Sequence, residues 1–221
     1  MKILAIETSG KTFSLSLNEN DVSIASFYYN CGYMHSEVIF SLVEKLLNDT
    51  GNTFNDIDKF AVSTGPGSFT GIRIGMTAVK IFAQVLNKPV VAIDTLSILE
   101  NSCIKIKGIK IIAAIDALRN EVYIRSASGI IVNIDVDKFI NDFKKYKNKI
   151  LIIGNAAISH KEKFHRKLGK YSISLPYIAH MPQAHTLASM AYQISSYYNM
   201  SYTKIKPLYV RCLNIEENKK M

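Results

Sequence analysis

The order of strand and helix patterns along this 221-residue chain occurs twice, and this repetition restricts the possible folds more than any other feature. Three short strand patterns come first, and an alternation of helix, strand, helix, strand and helix follows them. The same order, β-β-β-α-β-α-β-α, begins again near residue 105, without detectable identity between the copies. The sequence therefore predicts a duplicated α/β architecture with two subdomains, residues 1–104 and 105–221.

The strand patterns KILAIET, TFSLSLN and VSIASFYY are separated only by the short turns SGK and END, which predicts an antiparallel meander. Apolar residues at helical spacing predict a helix over about 35–49 and a second helix over about 71–87. Each half is therefore expected to form a mixed sheet flanked by helices. That order of elements is typical of the actin, sugar-kinase and Hsp70 class, the ASKHA or RNase H-like fold.

The composition is typical of a chain with a buried core, since hydrophobic residues make up 48% and charged residues 20%. No window approaches the ~20 consecutive apolar residues of a membrane span, so no membrane association is expected. The three scattered cysteines, Cys31, Cys103 and Cys212, indicate a reducing cytoplasm and no zinc site.

The net charge of +9 is unevenly distributed along the chain. Residues 1–104 carry 7 Lys+Arg against 10 Asp+Glu, whereas residues 105–221 carry 20 against 8. A basic half can face nucleic acid or an acidic partner. Most of its lysines are dispersed among Ile, Asn and Tyr, without a basic stripe interleaved with aromatic residues. Compositional bias is therefore the favoured interpretation, and direct contact with nucleic acid stays an open alternative.

The stretch STGPGSFTGIRIGMTAVK, residues 63–80, combines closely spaced glycines with an apolar helix pattern. It departs from the Walker phosphate loop, because Ile72 follows Gly71 where that loop requires lysine. It also departs from the G-x-G-x-x-G pattern, because Thr70 takes the place of the last glycine. Ser68 and Thr70 can cap the helix, and the first amides of a helix can hold an anion. Capping is the favoured interpretation of this stretch.

The helix that follows is apolar on nearly every side. Its polar residues form one narrow stripe: Arg73, Thr77, Lys80 and Gln84. Its apolar residues cover the remaining surface: Ile72, Ile74, Met76, Val79, Ile81, Phe82, Val85 and Leu86. A helix of this kind is expected to be buried on nearly all sides. Burial within the fold and burial against a partner both meet that expectation, and the sequence leaves the two open.

Two acidic residues follow corresponding strands of the two copies. Glu7 ends the first strand and precedes Thr8 and Ser9, and Asp116 ends the first strand of the second copy. These carboxylates are candidates for an acid pair across a cleft. The alternative is that both residues only cap turns at strand ends.

Five segments, in this order along nearly the whole chain, resemble the TsaB (YeaZ) family of bacteria: ILAIETS at 3–9, HSE at 35–37, STGPGSFTGIRIG at 63–75, IDALRNEVY at 115–123 and PLYVR at 207–211. The glycine stretch is the most specific of them. The resemblance implies an ASKHA-type fold and a role in making N6-threonylcarbamoyladenosine on tRNA. It also implies an accessory subunit, since the related TsaD subunit performs the transfer.

The resemblance further implies that TsaD uses a metal held by a His-x-x-x-His pair on the helix that corresponds to residues 35–48. His35 matches the first histidine of that pair, but Ile39 stands at the second. No metal site and no catalytic residue are therefore expected here. The family usually has Asp at the position of Glu7, a difference that argues against magnesium–nucleotide chemistry.

The resemblance predicts a non-catalytic scaffold that binds and stabilises TsaD and recruits the ATPase TsaE, with tRNA reached through the complex. Family pairing through the first two helices predicts these interface residues: His35, Val38, Ile39, Leu42, Leu46, Arg73, Ile74, Met76, Thr77 and Phe82. Other residues carry the family motif or would lie near a nucleotide: Glu7, Thr8, Ser9, Gly65, Gly67, Ser68, Thr70, Gly71 and Asp116. The alternative is an ASKHA-type nucleotide-binding ATPase, although ATP is expected only at the level of the complex. Isolated chains can also form a homodimer through the apolar helix face.

Overall fold

The structure is a computed structural model that describes residues 1–32, 34–103, 107–144, 149–169, 175–194 and 200–210. The strands in these ranges are Lys2–Glu7 (β1), Phe13–Glu19 (β2), Val22–Tyr29 (β3), Lys59–Ser63 (β4), Val90–Ile93 (β5), Ile109–Asp116 (β6), Glu121–Arg125 (β7), Ile131–Asp135 (β8) and Lys149–Ile153 (β9). The helices are His35–Asp49 (α1), Phe69–Leu86 (α2), Thr95–Asn101 (α3), Val136–Lys144 (α4), Asn155–Ser159 (α5), Lys161–Leu168 (α6) and Ala184–Gln193 (α7). Short 3-10 helices lie at Phe54–Asp56 and Tyr177–His180.

The strands form two mixed sheets that repeat one topology. The first sheet has the order β3-β2-β1-β4-β5, and the second has the order β8-β7-β6-β9. In each sheet the first three strands are antiparallel, and the next strand pairs in parallel with the first. The predicted meander is therefore confirmed in both halves, and the repeated element order is confirmed as far as β9, after which α5 and α6 take the place of the single predicted helix. A further strand is predicted for YSISL, residues 171–175, of which 171–174 lie outside the described residues, as does the predicted subdomain boundary between 104 and 105.

Helices cover both faces of the first sheet, and the side chains of β1 point alternately to one face and the other. Leu4 and Ile6 belong to the apolar cluster that includes α1 and α2. Ile3 and Ala5 belong to the cluster that includes α7. A strand buried on both faces is apolar along its whole length, which explains the continuous apolar run of β1. Helix α7 lies in the range 105–221 and yet packs against the first sheet.

Helix α3 connects the two sheets. Its Ile98 packs in the α7 cluster of the first sheet, whereas Leu96 and Leu99 pack against β6 of the second sheet. A polar link adds to this packing, because the Arg125 guanidinium on β7 donates a hydrogen bond of 2.8 Å to Asp94, the N-cap of α3. The position of one sheet relative to the other therefore depends on this seven-residue helix.

Helix α2 begins at the N-cap Ser68 and ends where Asn87 adopts a left-handed conformation, two residues before Pro89. Within the described ranges, it is the one helix long and apolar enough to cross a bilayer, with mean hydropathy 1.3 over 18 residues. Core helices of globular proteins meet the same criterion. Here α2 packs against β1, β4 and α1, and the expectation of no membrane association stays a prediction.

Candidate protein-interaction groove

The turn that follows β1 contacts both helices on one face of the first sheet, and residues 8–10 are therefore named the anchor turn. Its threonine hydroxyl donates a hydrogen bond of 2.7 Å to the carbonyl of Gly71 in α2. Its serine carbonyl accepts one of 2.7 Å from the amide of Ser68, the N-cap of α2. Its glycine carbonyl accepts one of 2.9 Å from Nε2 of His35, which begins α1. Three successive residues thus attach the end of β1 to both helices.

Glycines in and before α2 allow this close approach. A Cβ atom at Gly71 would overlap the carbonyl oxygen of Thr8, and one at Gly75 would overlap the Thr8 hydroxyl. A Cβ atom at Gly67 would overlap the carbonyl oxygen of Ser9. The spacing of these glycines is therefore explained by contact with the anchor turn.

The glycine stretch forms a tight, capped corner, as the sequence predicted. A cis peptide bond joins Gly65 to Pro66, and the φ of Gly65 is 96°, which favours glycine. The Ser68 hydroxyl accepts a hydrogen bond of 3.2 Å from the Gly71 amide. The prediction that Thr70 also caps the helix is wrong, because α2 begins two residues earlier than predicted and places Thr70, exposed, inside its first turn.

Three amides at the start of α2 are hydrogen-bonded within the chain itself. The Ser68 amide donates to the anchor turn, and the amides of Gly71 and Ile72 donate to the side chain and carbonyl of Ser68. An anion at a helix start needs amides of this kind for its own hydrogen bonds. The chain itself therefore accepts three of the hydrogen bonds at this corner, and a nucleotide near these residues stays a prediction.

Glu7, at the end of β1, is completely buried beneath the anchor turn. Its Oε1 accepts hydrogen bonds from the Ser9 amide at 2.8 Å and from the Ser63 hydroxyl at 2.9 Å. Its Oε2 is buried without a hydrogen-bond partner among the described residues. Burial raises the pKa of Glu7 to about 7, although the hydrogen bonds from Ser9 and Ser63 oppose the shift. This carboxyl group therefore changes charge near neutral pH.

Replacement of Glu7 by glutamine is expected to change the pH dependence of stability. The folded pKa of about 7 lies above the ordinary value of 4.5 in the unfolded chain, so the folded state holds the proton more tightly, and stability falls as pH rises from 4.5 to 7. Glu7→Gln removes this loss but leaves a buried amide donor. Because the cost of the amide is the same at every pH, we expect the variant to be about 1–2 kcal/mol less stable than the wild type at about pH 4.5 and about 1–2 kcal/mol more stable at about pH 8. Urea unfolding across this range measures the difference, and parallel curves for the two proteins would contradict it.

The second predicted acid, Asp116, has a separate set of partners in the second sheet. Its Oδ1 accepts a hydrogen bond of 2.9 Å from the Leu118 amide and lies 3.7 Å from Nε2 of His160. Its own amide donates to Asn155 at 2.8 Å. These contacts are those of a residue that caps a turn at a strand end. None of them joins Asp116 to Glu7, so the acid pair stays a prediction.

His35 is buried, and both of its ring nitrogens have partners. Because the Gly10 carbonyl can only accept, Nε2 carries the hydrogen, and Nδ1 is free to accept from the Cys31 thiol at 3.3 Å. Burial lowers the pKa of His35, which keeps the ring neutral in this role. Among the residues that the structure describes, no group of three or more His, Cys, Asp or Glu side chains is placed to hold a metal ion.

A groove of about 420 Å³ runs between α1 and α2 on the surface of the first half. Its lining is mostly apolar and comprises Ser36, Ile39, Phe40, Phe69, Thr70, Arg73, Ile74, Thr77, Ala78 and Ile81. Large apolar side chains in and beside it are exposed: Phe40 by 52%, Phe69 by 48%, Ile81 by 45% and Val85 by 77%. Contiguous exposed apolar surface of this kind marks interaction sites on proteins.

The ten predicted interface residues lie at different depths. Arg73 and Thr77 are exposed, and three others are half-buried: Val38, Leu42 and Ile74. The remaining five are buried: His35, Ile39, Leu46, Met76 and Phe82. Phe82, for example, packs against the rings of Phe40, Phe54 and Phe60. Of the buried five, only Ile39 lines the groove; the others support the helices from within.

Four exposed apolar residues of this surface were missed as site residues: Phe40, Phe69, Ile81 and Val85. The sequence did contain one signal for two of them, because Ile81 and Val85 are four residues apart on a helix that was already too apolar for a surface helix. The sequence left burial within the fold and burial against a partner open, and this face of α2 is not buried within the chain, since Ile81 and Val85 are exposed. The first sheet and α1 cover only the opposite sides of the helix.

The C-terminal segment reaches the same surface. The Leu208 amide donates a hydrogen bond of 2.8 Å to the carbonyl of Thr64, next to the glycine corner. The Tyr209 ring then lies 5.3 Å from the ring of Phe69, whose other neighbour is the Arg73 guanidinium at 5.0 Å. Tyr209 of the PLYVR segment thus packs against Phe69, which lines the groove; residue 211 of this segment lies outside the described residues.

The chain matches known proteins along most of its length. The family described as TsaD, tRNA N6-adenosine threonylcarbamoyltransferase, matches residues 31–208. The tRNA threonylcarbamoyladenosine biosynthesis protein TsaB of Bacillus subtilis is 30% identical over 197 residues, which cover 85% of this chain and 86% of that protein. The chain belongs to the TsaB family. The match to the TsaD family also relates this TsaB-family chain to the transferase.

Solved structures show the same fold. YeaZ from Pseudomonas aeruginosa superposes with a TM-score of 0.74 at 23% identity, covering 95% of this chain and all of that one. The activator of 2-hydroxyisocaproyl-CoA dehydratase from Clostridium difficile, with bound ADPNP, superposes with a TM-score of 0.51 at 13% identity, covering 87% and 95%. The predicted duplicated actin-like α/β fold, with mixed sheets flanked by helices, is confirmed for this TsaB-family chain.

Proposed function

We propose that this TsaB-family chain acts in the formation of N6-threonylcarbamoyladenosine in tRNA as a non-catalytic scaffold that binds TsaD through the groove between α1 and α2. The observation that carries the proposal is the exposed apolar surface along the groove, from Phe40 and Phe69 to Ile81 and Val85. Removal of such side chains from water is the main driving force of association. We further propose that this complex recruits the ATPase TsaE and that the chain reaches tRNA through the complex.

The electrostatics of the groove also fit a protein partner. Arg73 and Thr77 are exposed among apolar residues, an arrangement common in interfaces that combine an apolar centre with a few polar groups. Arg73 is held over the Phe69 ring, so little side-chain freedom would be lost on binding. The chemistry of a transferase is not part of the proposal, because His35, which matches a metal ligand of TsaD, is used here to join α1 to the anchor turn.

Co-expression with TsaD of the same organism tests this function. Size-exclusion chromatography with light scattering is expected to give one peak with the summed mass of one copy of each chain. Separate elution of the two chains at micromolar concentration would contradict the proposal. The chain alone is expected to form a homodimer through the same surface, so added TsaD should replace the homodimer by the mixed complex.

The alternative function, an ASKHA-type ATPase, predicts nucleotide binding by the isolated chain. We expect none at the glycine corner, because the anchor turn already accepts the hydrogen bond of the Ser68 amide there. Calorimetric titration with ATP and magnesium measures this directly. Saturable binding that Ser68→Ala weakens would favour the ATPase.

A further inference from the structure

We propose that Glu7 is the positioning residue of the groove: its carboxyl group fixes the anchor turn, and the anchor turn fixes the separation of α1 and α2. The inference rests on the proposed function only where it concerns affinity for TsaD. Its geometric part concerns this chain alone and is tested separately.

The first step of the argument is the attachment of the turn to the sheet. Glu7 Oε1 accepts from the amide of Ser9, the middle residue of the anchor turn, and from the hydroxyl of Ser63 at the end of β4. Because β1 and β4 are paired neighbours, one oxygen atom holds the turn against two strands. Loss of this acceptor would leave two buried donors without a partner.

The second step is the transmission to the helices. The anchor turn bonds to Gly71 and Ser68 of the α2 start and to His35 of the α1 start. The contact with Gly71 and Gly75 is too close for any side chain, so the packing leaves no room for independent movement. A displacement of the turn must therefore move both walls of the groove.

The third step concerns charge. Burial raises the pKa of Glu7, and the hydrogen bonds from Ser9 and Ser63 oppose it. Burial also raises the pKa of Tyr28 on β3, and negative charge on Tyr177 and Glu7 adds to that increase. No donor among the described residues reaches Oε2 of the ionised carboxylate, which is buried, so an outward movement of the turn would expose this oxygen to water. Ionisation near neutral pH is therefore expected to loosen the groove.

A single tryptophan tests the geometric part, since the chain contains none. In the full-length Phe40→Trp protein, fluorescence is expected to change with a midpoint near pH 7, and the change should be absent when Glu7→Gln is added. Asn18→Ala removes a buried polar side chain near the opposite end of the β1–β2 pair and should keep the transition. A transition that persists in the Glu7→Gln background would overturn the proposal.

Affinity for TsaD supplies the second readout. Glu7→Ala is expected to weaken binding at least about tenfold, whereas Glu7→Gln, which keeps the acceptor, should stay within about threefold of the wild type. Equal losses in both variants, or equal retention in both, would contradict the positioning role. If the wild-type chain does not bind TsaD at all, the proposed function fails, and the tryptophan measurement still decides the geometric part.

Discussion

Replacement of Ile81 by aspartate is expected to abolish stable association with TsaD while the chain itself stays folded. Ile81 lines the groove and is 45% exposed, so the new carboxylate is solvated in the free chain and loses that solvation only in the complex. An unpaired charge buried at the centre of an interface costs about 3 kcal/mol or more, a loss of at least about a hundredfold in affinity. Biolayer interferometry with purified TsaD measures the change.

Two matched variants make this result specific. Asn48→Asp adds the same charge on an exposed position of α1 outside the groove lining and should leave the affinity unchanged. Phe82→Asp places the charge in the aromatic cluster beneath the groove. This variant should unfold the chain, so a loss of TsaD binding by it would not locate the interface. Normal binding by folded Ile81→Asp would show that TsaD is bound elsewhere.

Replacement of Gly71 by alanine is expected to destabilise the chain by about 3 kcal/mol, because the added methyl group would overlap the backbone carbonyl of Thr8. Thr8 cannot move away from the added methyl group without a large loss of stability, because Thr8 is buried and its hydroxyl donates to the Gly71 carbonyl. The melting temperature should fall by roughly 10 °C, and differential scanning calorimetry measures it.

Gly10→Ala is the matched control for this prediction. It lies in the same anchor turn, and a Cβ atom there would meet its nearest neighbour, the Thr12 hydroxyl, at an ordinary 3.8 Å. Its melting temperature should stay within about 2 °C of the wild type. If Gly71→Ala is equally harmless, the close contact between the anchor turn and α2 is not what requires glycine at that position.

The sequence predicted the elements of this fold well because their signals are local. The three-strand meander follows from two short turns, and Pro89 marks the end of the α2 pattern. The glycine corner was likewise interpreted as a cap because its residues departed from both phosphate-binding patterns. Such signals need no knowledge of distant parts of the chain.

The site was harder to predict because it depends on contacts between distant residues. The hydrogen bond from Thr8 to Gly71 joins residues 63 positions apart, and no periodicity reports it. The raised pKa of Glu7 likewise requires the burial that the folded chain provides. Apolar periodicity identified α2 as unusual, but only the packing of the sheet and α1 decides that Ile81 and Val85 stay exposed while Phe82 is buried.

The most direct test of the central claim is hydrogen–deuterium exchange of the wild-type chain with and without TsaD, at a dilution at which the chain alone is monomeric. We predict slower exchange in the complex for peptides from α1 and from the exposed face of α2, with the second sheet unchanged. Protection confined to the second sheet, or no protection in either helix while the complex is intact, would contradict a scaffold that binds TsaD through the α1–α2 groove.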